Sequence, residues 1–299
     1  MTHDELRPLL FSMAYRMVGT VGDAEDLVQE AFLRLHREQT EGTEIESPKA
    51  FLTTVVTRLA IDHLRSARVR REEYVGEWLP EPLLVDPDPG PADHAEMSDT
   101  LSLAFLVLLE SLSPVERAVF LLHDVFGYSY AEIGDVVGKT EAACRQIAVR
   151  ARKAVDERRP RFDPSAEERR RVAERFFAAL AGDVSEIEAV LSEDVVMHGD
   201  GGGKAPAIAR PLEGAARVSR FWANLFKQGA RAGMAAELSF VNGQPGAVIR
   251  TSDRLVVTVV ALDIVDGRVR AIRSIVNPDK LRHLGPVADV NALLRARRG

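Results

Sequence analysis

The sequence has few of the features that mark exported, metal-binding or membrane-spanning proteins. It contains one cysteine, Cys144, in 299 residues, which excludes an intrachain disulfide, and no Cys/His pairs stand at the spacing of zinc ligands. The longest largely apolar stretch, Leu101 to Leu109, is about half of a membrane span, and the opening residues are acidic where a secretory signal would be basic. We therefore expect no metal and no cofactor, and a cytoplasmic protein that is neither exported nor embedded in a membrane.

The composition is that of a globular chain whose negative charge is concentrated in one place. Hydrophobic residues make up 46% and charged residues 28%, and at about 150 residues per domain this length predicts two or more units. The net charge of -6 argues against strong independent binding to nucleic acid, which clustered Lys and Arg drive by counterion release. Residues 76–111 contain eight acidic side chains and no Lys or Arg.

Two breaks in composition divide the chain. Residues 76–97 combine acidic side chains with five prolines, which predicts an extended, self-repelling linker. A second proline-bounded break lies at residues 159–164. We therefore predict a helical segment over 1–75, the linker over 76–97, a second helical segment over 98–162 and a third region over 163–299.

The first segment has the apolar spacing of amphipathic helices. One helix is expected from Asp23, which we interpret as its cap, and another from Ser47 and Pro48. The outward stripe of the second helix carries Arg58, Asp62 and Arg65 and continues through Arg68 and Arg70. Periodicity alone leaves two interpretations open, a surface that binds a partner or a solvated basic helix end that complements the helix dipole.

The second segment predicts three short helices. Ser113 with Glu116 and Ser129 with Glu132 form capping boxes, and Gly138 stands where a helix would end. The last helix, capped by Thr140, has an apolar face and an outward face with Glu141, Arg145, Gln146, Val149, Arg150 and Lys153. This is a helix-turn-helix pattern, whose second helix offers Arg and Gln to base edges in the major groove, although similar hairpins occur in proteins that never contact DNA.

The third region changes from helices to strands. A helix is expected near Ser165 and a short strand over 195–198, followed by β-branched strands near 235–242, 246–251, 254–263 and 268–276. These elements suit an α+β cone with a curved antiparallel sheet around a pocket. His198, Asp200, Trp222 and Asp263 could line the pocket, and a His/Asp pair among them could move protons, but a structural role for these residues is the more common one.

Several strings resemble a known family. Gly22-Asp-Ala-Glu-Asp-Leu-Val-Gln-Glu-Ala-Phe, Leu59-Ala-Ile-Asp-His-Leu-Arg, Leu112-Ser-Pro-Val-Glu-Arg-Ala-Val-Phe-Leu-Leu and Tyr128-Ser-Tyr-Ala-Glu-Ile resemble an extracytoplasmic-function (ECF) RNA polymerase sigma factor. Trp78-Leu-Pro-Glu-Pro-Leu, Asp200-Gly-Gly-Gly-Lys and Asn277-Pro-Asp-Lys-Leu resemble the three motifs of the subgroup with a SnoaL-like C-terminal extension. The resemblance implies two all-α sigma modules, the second with the helix-turn-helix, and a SnoaL-like cone.

The resemblance also implies partners and contacts. Sigma region 2 (1–75) would bind the clamp helices of core RNA polymerase through Asp26, Gln29, Glu30 and Leu33. It would bind the promoter -10 element through Arg58, Asp62, Arg65, Arg68 and Arg70, although many members have Asn at the position of Arg58 and contacts of that Asn do not transfer. Region 4 (98–162) would meet the polymerase flap and read the -35 element through Thr140, Arg145, Gln146, Arg150 and Lys153.

We predict that the residues of the three subgroup motifs form a contact between the linker and the C-terminal domain. Three consecutive glycines permit close backbone approach to the stiff linker segment, whereas the alternative is a flexible surface loop. The residues predicted to form this contact are Trp78, Leu79, Pro80, Glu81, Pro82, Asp200, Gly201, Gly202, Gly203, Lys204, Asn277, Pro278, Asp279, Lys280 and Leu281.

The function predicted is that of a sigma factor, not an enzyme, whose activity its own C-terminal domain (163–299) modulates. A small ligand in the cone is left open. Two alternatives are a ligand-sensing helix-turn-helix regulator that acts without polymerase and a SnoaL-like isomerase or cyclase.

Overall fold

The computed structural model describes residues 3–85, 100–157, 165–180 and 183–295. The chain divides into two compact units, one formed by Met1–Glu73 with Leu106–Arg159 and the other by Tyr74–Phe105 with Pro160–Gly299. Among the described residues no helix is long and apolar enough to cross a membrane.

The first unit is helical. Its helices are α1 (His3–Val18), α2 (Val21–Thr40), α3 (Pro48–Glu72), α4 (Leu103–Leu109, which begins in the other unit), α5 (Pro114–Phe120, extended by a π-turn over Leu121–Val125), α6 (Tyr130–Val137) and α7 (Glu141–Asp156).

Helices α1, α2 and α3 pack against one another because each has a continuous apolar stripe. In α2 the predicted stripe is buried, from Ala24 through Leu27 to Leu35. The predicted cap is wrong: α2 begins at Val21 with Thr20 as the N-cap residue, and Asp23 lies in its first turn, where its carboxylate accepts a hydrogen bond from the Thr20 hydroxyl. Apolar spacing identified the face of the helix but not its first residue.

Helices α5, α6 and α7 follow the predicted start and stop signals. Both capping boxes are formed, and Gly138 ends α6 in the left-handed region at φ 67°. The apolar face of α7 is buried around Cys144. Met13 of α1 belongs to the same hydrophobic cluster as Ile133 and Cys144, so the two helical segments share a core within this unit.

The second unit combines helices with a six-stranded sheet. Its elements are helices α8 (Ala166–Ala179) and α9 (Val184–Val190), strands β1 (Leu191–Asp200) and β2 (Leu212–Glu213), helix α10 (Ala215–Arg231), strands β3 (Ala235–Val241), β4 (Gln244–Arg250), β5 (Val256–Val265) and β6 (Arg268–Ile275), two 3-10 turns (Pro278–Lys280 and Arg282–Leu284) and helix α11 (Val290–Arg295). The α+β class and the four late strands are as predicted.

The strand order is β2-β1-β6-β5-β4-β3. The hairpins from β3 to β6 are antiparallel, as predicted, but β1 pairs with β6 in parallel, which departs from a purely antiparallel sheet. Helices α8, α9 and α10 pack against the sheet, and Phe176 meets Trp222 edge to face at 5.8 Å in their shared core. The parallel pairing places the ends of β1 and β6 side by side, with Asp200 opposite Ile275.

Candidate functional site

The outward face of α7 presents polar side chains beside its buried face. Arg145, Gln146 and Arg150 are exposed, and Lys153 lies further along the same side. The Arg145 guanidinium lies 2.5 Å from a Glu141 carboxylate oxygen and 5.4 Å from the centre of the Tyr130 ring, weak contacts that favour one orientation of this exposed side chain. The face therefore has pre-positioned donors near the start of the helix.

Thr140 caps this helix, since its hydroxyl oxygen accepts a hydrogen bond from the Ala143 N–H at 3.2 Å. Arg150 lies 3.8 Å from a Glu116 carboxylate oxygen on α5, an exposed and weak pair. Val149, which is 60% exposed, is an apolar side chain on the same surface.

The basic stripe of α3 is divided between solvent and a contact with the helix-turn-helix. Asp62 and Arg65 are exposed and paired at 2.9 Å. Arg58 instead donates hydrogen bonds to the carbonyls of Val136 and Asp135 at the end of α6, both at 2.8 Å. The helix α3 also contains Arg68 and Arg70, whose side chains lie outside the described residues.

A second arginine, which the sequence analysis did not single out, joins the same two helical segments. The buried Arg117 donates to the Met17 carbonyl at 2.6 Å and to the Leu109 carbonyl at 2.7 Å, and pairs with Glu110 at 2.9 Å. Burial lowers the pKa of Arg117 to about 9, which leaves it charged at neutral pH. In the sequence it is one charged residue in a short amphipathic helix, so no local signal indicated its burial.

The predicted polymerase-binding residues share the outer face of α2. Asp26 and Gln29 are exposed, and Glu30 forms an i,i+4 pair with Arg34 at 2.8 Å. Leu33 is 45% exposed, an apolar side chain among these polar ones. Its exposure makes it available to a partner without a change in the core.

In the second unit, the three subgroup motifs meet around one buried carboxylate, in a cluster that we call the linker anchor: Tyr74, Leu79, Asp200, Asn277 and Lys280. Asp200 is fully buried and accepts hydrogen bonds from the Tyr74 hydroxyl at 2.5 Å and the Leu79 N–H at 2.8 Å. Lys280 lies 2.6 Å from Asp200 and also donates to the Leu79 carbonyl. Both backbone groups of one linker residue are thus held by a buried ion pair.

Aromatic rings complete the linker anchor. The Lys280 ammonium lies 4.4 Å from the centre of the Trp78 ring and 4.8 Å from that of Tyr74, a cation–π arrangement that suits a desolvated cation. Burial and the hydrogen bond to Asp200 raise the pKa of Tyr74, so its phenol stays protonated and donates. The Asn277 amide donates to the same phenol oxygen at 2.8 Å.

The glycines of the second motif are required by close packing. Gly202 and Gly203 have φ of 56° and 70°, which favours glycine. A Cβ at Gly202 would overlap the Asn277 amide, and one at Gly203 would lie 3.0 Å from Val75, which directly precedes the linker. A Cβ at Gly201 would overlap the carbonyl of Ala205.

Further linker contacts lie beyond the three motifs. Glu77 pairs with His198 at 2.7 Å, the Pro82 carbonyl lies 2.7 Å from His283 Nε2, and the Asn242 side-chain oxygen accepts from the Leu83 N–H at 2.8 Å. The backbone of Leu84 also bridges to Val241 of β3. Sequence reasoning missed these partners because each depends on a non-local contact.

A cavity of about 340 Å³ lies in the same unit, and of the four pocket residues suggested by the sequence only Trp222 lines it. His198 pairs with Glu77, Asp200 belongs to the linker anchor, and Asp263 pairs with Arg273. Among the described residues, no ionisable side chain lines the cavity. The structure therefore does not bring the suggested His and Asp side chains together in the cavity.

Comparisons with known proteins agree with the resemblance. Residues 3–70 match the Sigma-70 region 2 family model and residues 102–155 match the Sigma-70 region 4 model. Over 93% of its length the chain is 40% identical to the ECF RNA polymerase sigma factor SigJ of Mycobacterium tuberculosis, of which it covers 91%. It is 34% identical to a protein described as a probable ECF RNA polymerase sigma factor, SigI, of the same species, with 92% of each covered. The crystal structure of SigJ superposes with a TM-score of 0.73 at 39% identity, over 93% of this chain and 96% of that one.

Proposed function

This chain belongs to the extracytoplasmic-function RNA polymerase sigma factors, and on that premise we propose that it joins core RNA polymerase, directs promoter-specific initiation and is regulated by its own C-terminal unit. The observation that carries the promoter-binding part is the exposed start of α7 in a helix-turn-helix. Arg145 and Gln146 there suit guanine and adenine edges, and Arg150 and Lys153 suit phosphates.

The remaining predicted contacts fit a factor that works only within a larger complex. Leu33 and its polar neighbours on α2 offer a mixed surface to the polymerase clamp helices, and Asp62 and Arg65 on α3 face solvent for the -10 element. With a net charge of -6, the chain depends on polymerase for most of its attraction to DNA. Free, it should bind duplex DNA weakly.

We attribute the regulation to the linker anchor. The linker joins the two sigma regions, and the buried pair of Asp200 and Lys280 holds both the N–H and the carbonyl of Leu79. Because fixing the linker limits the separation that the two sigma regions can reach, the C-terminal unit would control whether both promoter-reading helices are presented together.

Reconstituted transcription tests the proposal. The purified chain is mixed with core RNA polymerase and a library of promoter fragments, and start sites are mapped with and without it. The expected result is initiation at a defined set of promoters that core enzyme alone does not use. A chain that binds an operator without polymerase would instead be a helix-turn-helix regulator, and turnover of a small molecule would indicate an isomerase or cyclase.

The exposed leucine of α2 gives a prediction about polymerase. Leu33→Glu is expected to weaken core-enzyme binding by about tenfold or more, because a charge replaces an apolar side chain at the contact. The measurement is affinity by fluorescence anisotropy of labelled chain. Glu25→Gln, also exposed on α2 but outside the predicted set, is the control, and equal affinities for the two variants would remove Leu33 from the interface.

The recognition helix gives a prediction about specificity. Arg145→Ala is expected to lose about 1–3 kcal/mol of discrimination at one base pair of the -35 element, since a bidentate contact is removed. Arg150→Ala should weaken holoenzyme binding similarly at all promoters and reduce its salt dependence by about one charge. Promoter-library binding at several salt concentrations separates the two patterns, and a uniform loss for Arg145→Ala would assign that residue to phosphate.

A further inference from the structure

We propose that the cavity of the C-terminal unit binds a neutral, apolar small molecule and that helix α11 couples its occupancy to the linker anchor. This inference rests on the proposed regulation through the linker and names the class of molecule that would act on it.

The lining defines the chemistry of the molecule. The cavity of about 340 Å³ is within the range of small-molecule sites, and its wall includes Met197, Phe221, Trp222, Phe226 and Ile249. The hydroxyls in the wall, Thr258 and Ser274, are within hydrogen-bond distance of each other at 3.1 Å. Since no ionisable side chain lines the cavity among the described residues, a charged molecule would enter without a counter-charge.

The wall of the cavity and the linker anchor use consecutive residues of the same segments. Gly199 lines the cavity and Asp200, the next residue of β1, is the central carboxylate of the anchor. Val276 lines the cavity and Asn277 belongs to the anchor, and the N–H groups of both donate to the Asp200 carbonyl at 2.8 and 3.0 Å. A molecule in contact with Gly199 or Val276 therefore touches a residue that directly precedes a member of the linker anchor.

Helix α11 provides a second connection. Its side chains Val290 and Leu293 line the cavity, while the amide of Asn291 donates to the Lys204 carbonyl at 2.8 Å. Lys204 in turn pairs with Asp279, which directly precedes Lys280 of the anchor. The same short helix thus contacts both the cavity and the loop that holds the linker.

A second cavity adjoins the segment that carries α11. This cavity of about 750 Å³ is bordered by Pro286, Asp289 and Asn291, and Val290 lines both cavities. Two backbone hydrogen bonds join the segment to Val256 of β5. The Val256 N–H donates to the Pro286 carbonyl at 2.8 Å, and the Ala288 N–H donates to the Val256 carbonyl at 2.9 Å. A molecule that fills the first cavity would press on Val290 and Leu293, loosen the contact of Asn291 with Lys204 and release the linker.

The two tryptophans of the chain allow both events to be followed in the full-length protein. Trp222 lies in the cavity wall and Trp78 lies over Lys280 in the anchor. In a Trp78→Phe variant, binding of the neutral probe N-phenyl-1-naphthylamine is expected to quench Trp222 by energy transfer. In a Trp222→Phe variant, the same probe is expected to shift Trp78 emission to longer wavelength as the ring meets water.

Competition and variants make the test specific. Decanol should displace the probe at a concentration at least about tenfold lower than decanoate does, because none of the described residues that line the cavity offers a cation to the carboxylate. Ala236→Phe at the cavity rim should abolish probe binding, whereas Leu238→Phe on the same strand, outside the lining and 54% exposed, should not. Asn291→Ala, an exposed position, should keep probe binding and lose the Trp78 shift.

Each result decides one part of the proposal. Equal competition by decanol and decanoate, or binding unchanged by Ala236→Phe, would overturn the site. Binding without a Trp78 shift in the otherwise unaltered chain would overturn the coupling. These measurements contain no polymerase, so a site that binds and shifts Trp78 but leaves transcription unchanged would contradict the proposed regulation and not the ligand site.

Discussion

Asp200→Ala is expected to destabilise the second unit by about 3–5 kcal/mol, the largest effect that we predict there. The substitution leaves the buried Lys280 without its carboxylate and the Leu79 N–H without an acceptor. Urea unfolding followed by tryptophan fluorescence measures it directly, because Trp78 and Trp222 both belong to this unit. In reconstituted transcription the variant should change the level of initiation without changing -35 preference.

Two further variants distinguish the loss of the buried ion pair from a general loss of stability. Asp200→Ala combined with Lys280→Met should be less destabilising than Asp200→Ala alone, because the double variant removes the uncompensated charge. Asp279→Ala breaks the more exposed pair with Lys204 and should lose about 1 kcal/mol or less. If Asp200→Ala unfolds at the same urea concentration as the unaltered protein, the buried pair does not hold the linker.

Arg117→Ala is expected to lower the stability of the first unit by about 3–5 kcal/mol. The guanidinium is buried and satisfies the carbonyls of Met17 and Leu109, which close the ends of α1 and α4, so its removal leaves buried acceptors and Glu110 without their partner. Hydrogen exchange read by mass spectrometry should show faster exchange in peptides from α1 and α5 together.

The control for Arg117→Ala is Arg152→Ala, which breaks a more exposed pair with Asp124 on the same group of helices. This control should lose about 1 kcal/mol or less. Arg117→Lys should recover only part of the stability, since one ammonium lacks the planar fork that reaches two carbonyls. Exchange that rises in α5 alone would show that Arg117 does not join the two helical segments.

Local patterns predicted most of the fold. Apolar spacing identified the buried faces of α2 and α7, and capping boxes and Gly138 located the short helices, because these signals act within a few residues. The parallel pairing of β1 with β6 joins strands about seventy residues apart, and no local pattern specifies such a pairing. The two-residue strand β2 is too short to show any period.

The site was predictable to the extent that motifs mark it. The glycine-rich loop and the linker were predicted to meet, and in the structure Asp200 accepts a hydrogen bond from Leu79. Tyr74 and His283 were not predicted to take part. Their partners, Asp200 and Pro82, are remote in the chain, and no local sequence pattern indicates such contacts. Arg58 and Arg117 resembled ordinary surface arginines, since sequence spacing cannot distinguish a guanidinium in solvent from one bonded to carbonyls.

The two hydrogen bonds of Arg58 have a consequence for the order of events at a promoter. The Nε–H and one Nη2–H of Arg58 donate to the carbonyls of Val136 and Asp135, which leaves three of the five guanidinium N–H groups for a DNA phosphate. A contact that uses the whole guanidinium therefore requires α3 to separate from α6, and affinity gained through that contact is reduced by the small population of the separated state. A partner that separates these helices would free all five N–H groups, so the full contact with DNA would form only where that partner acts.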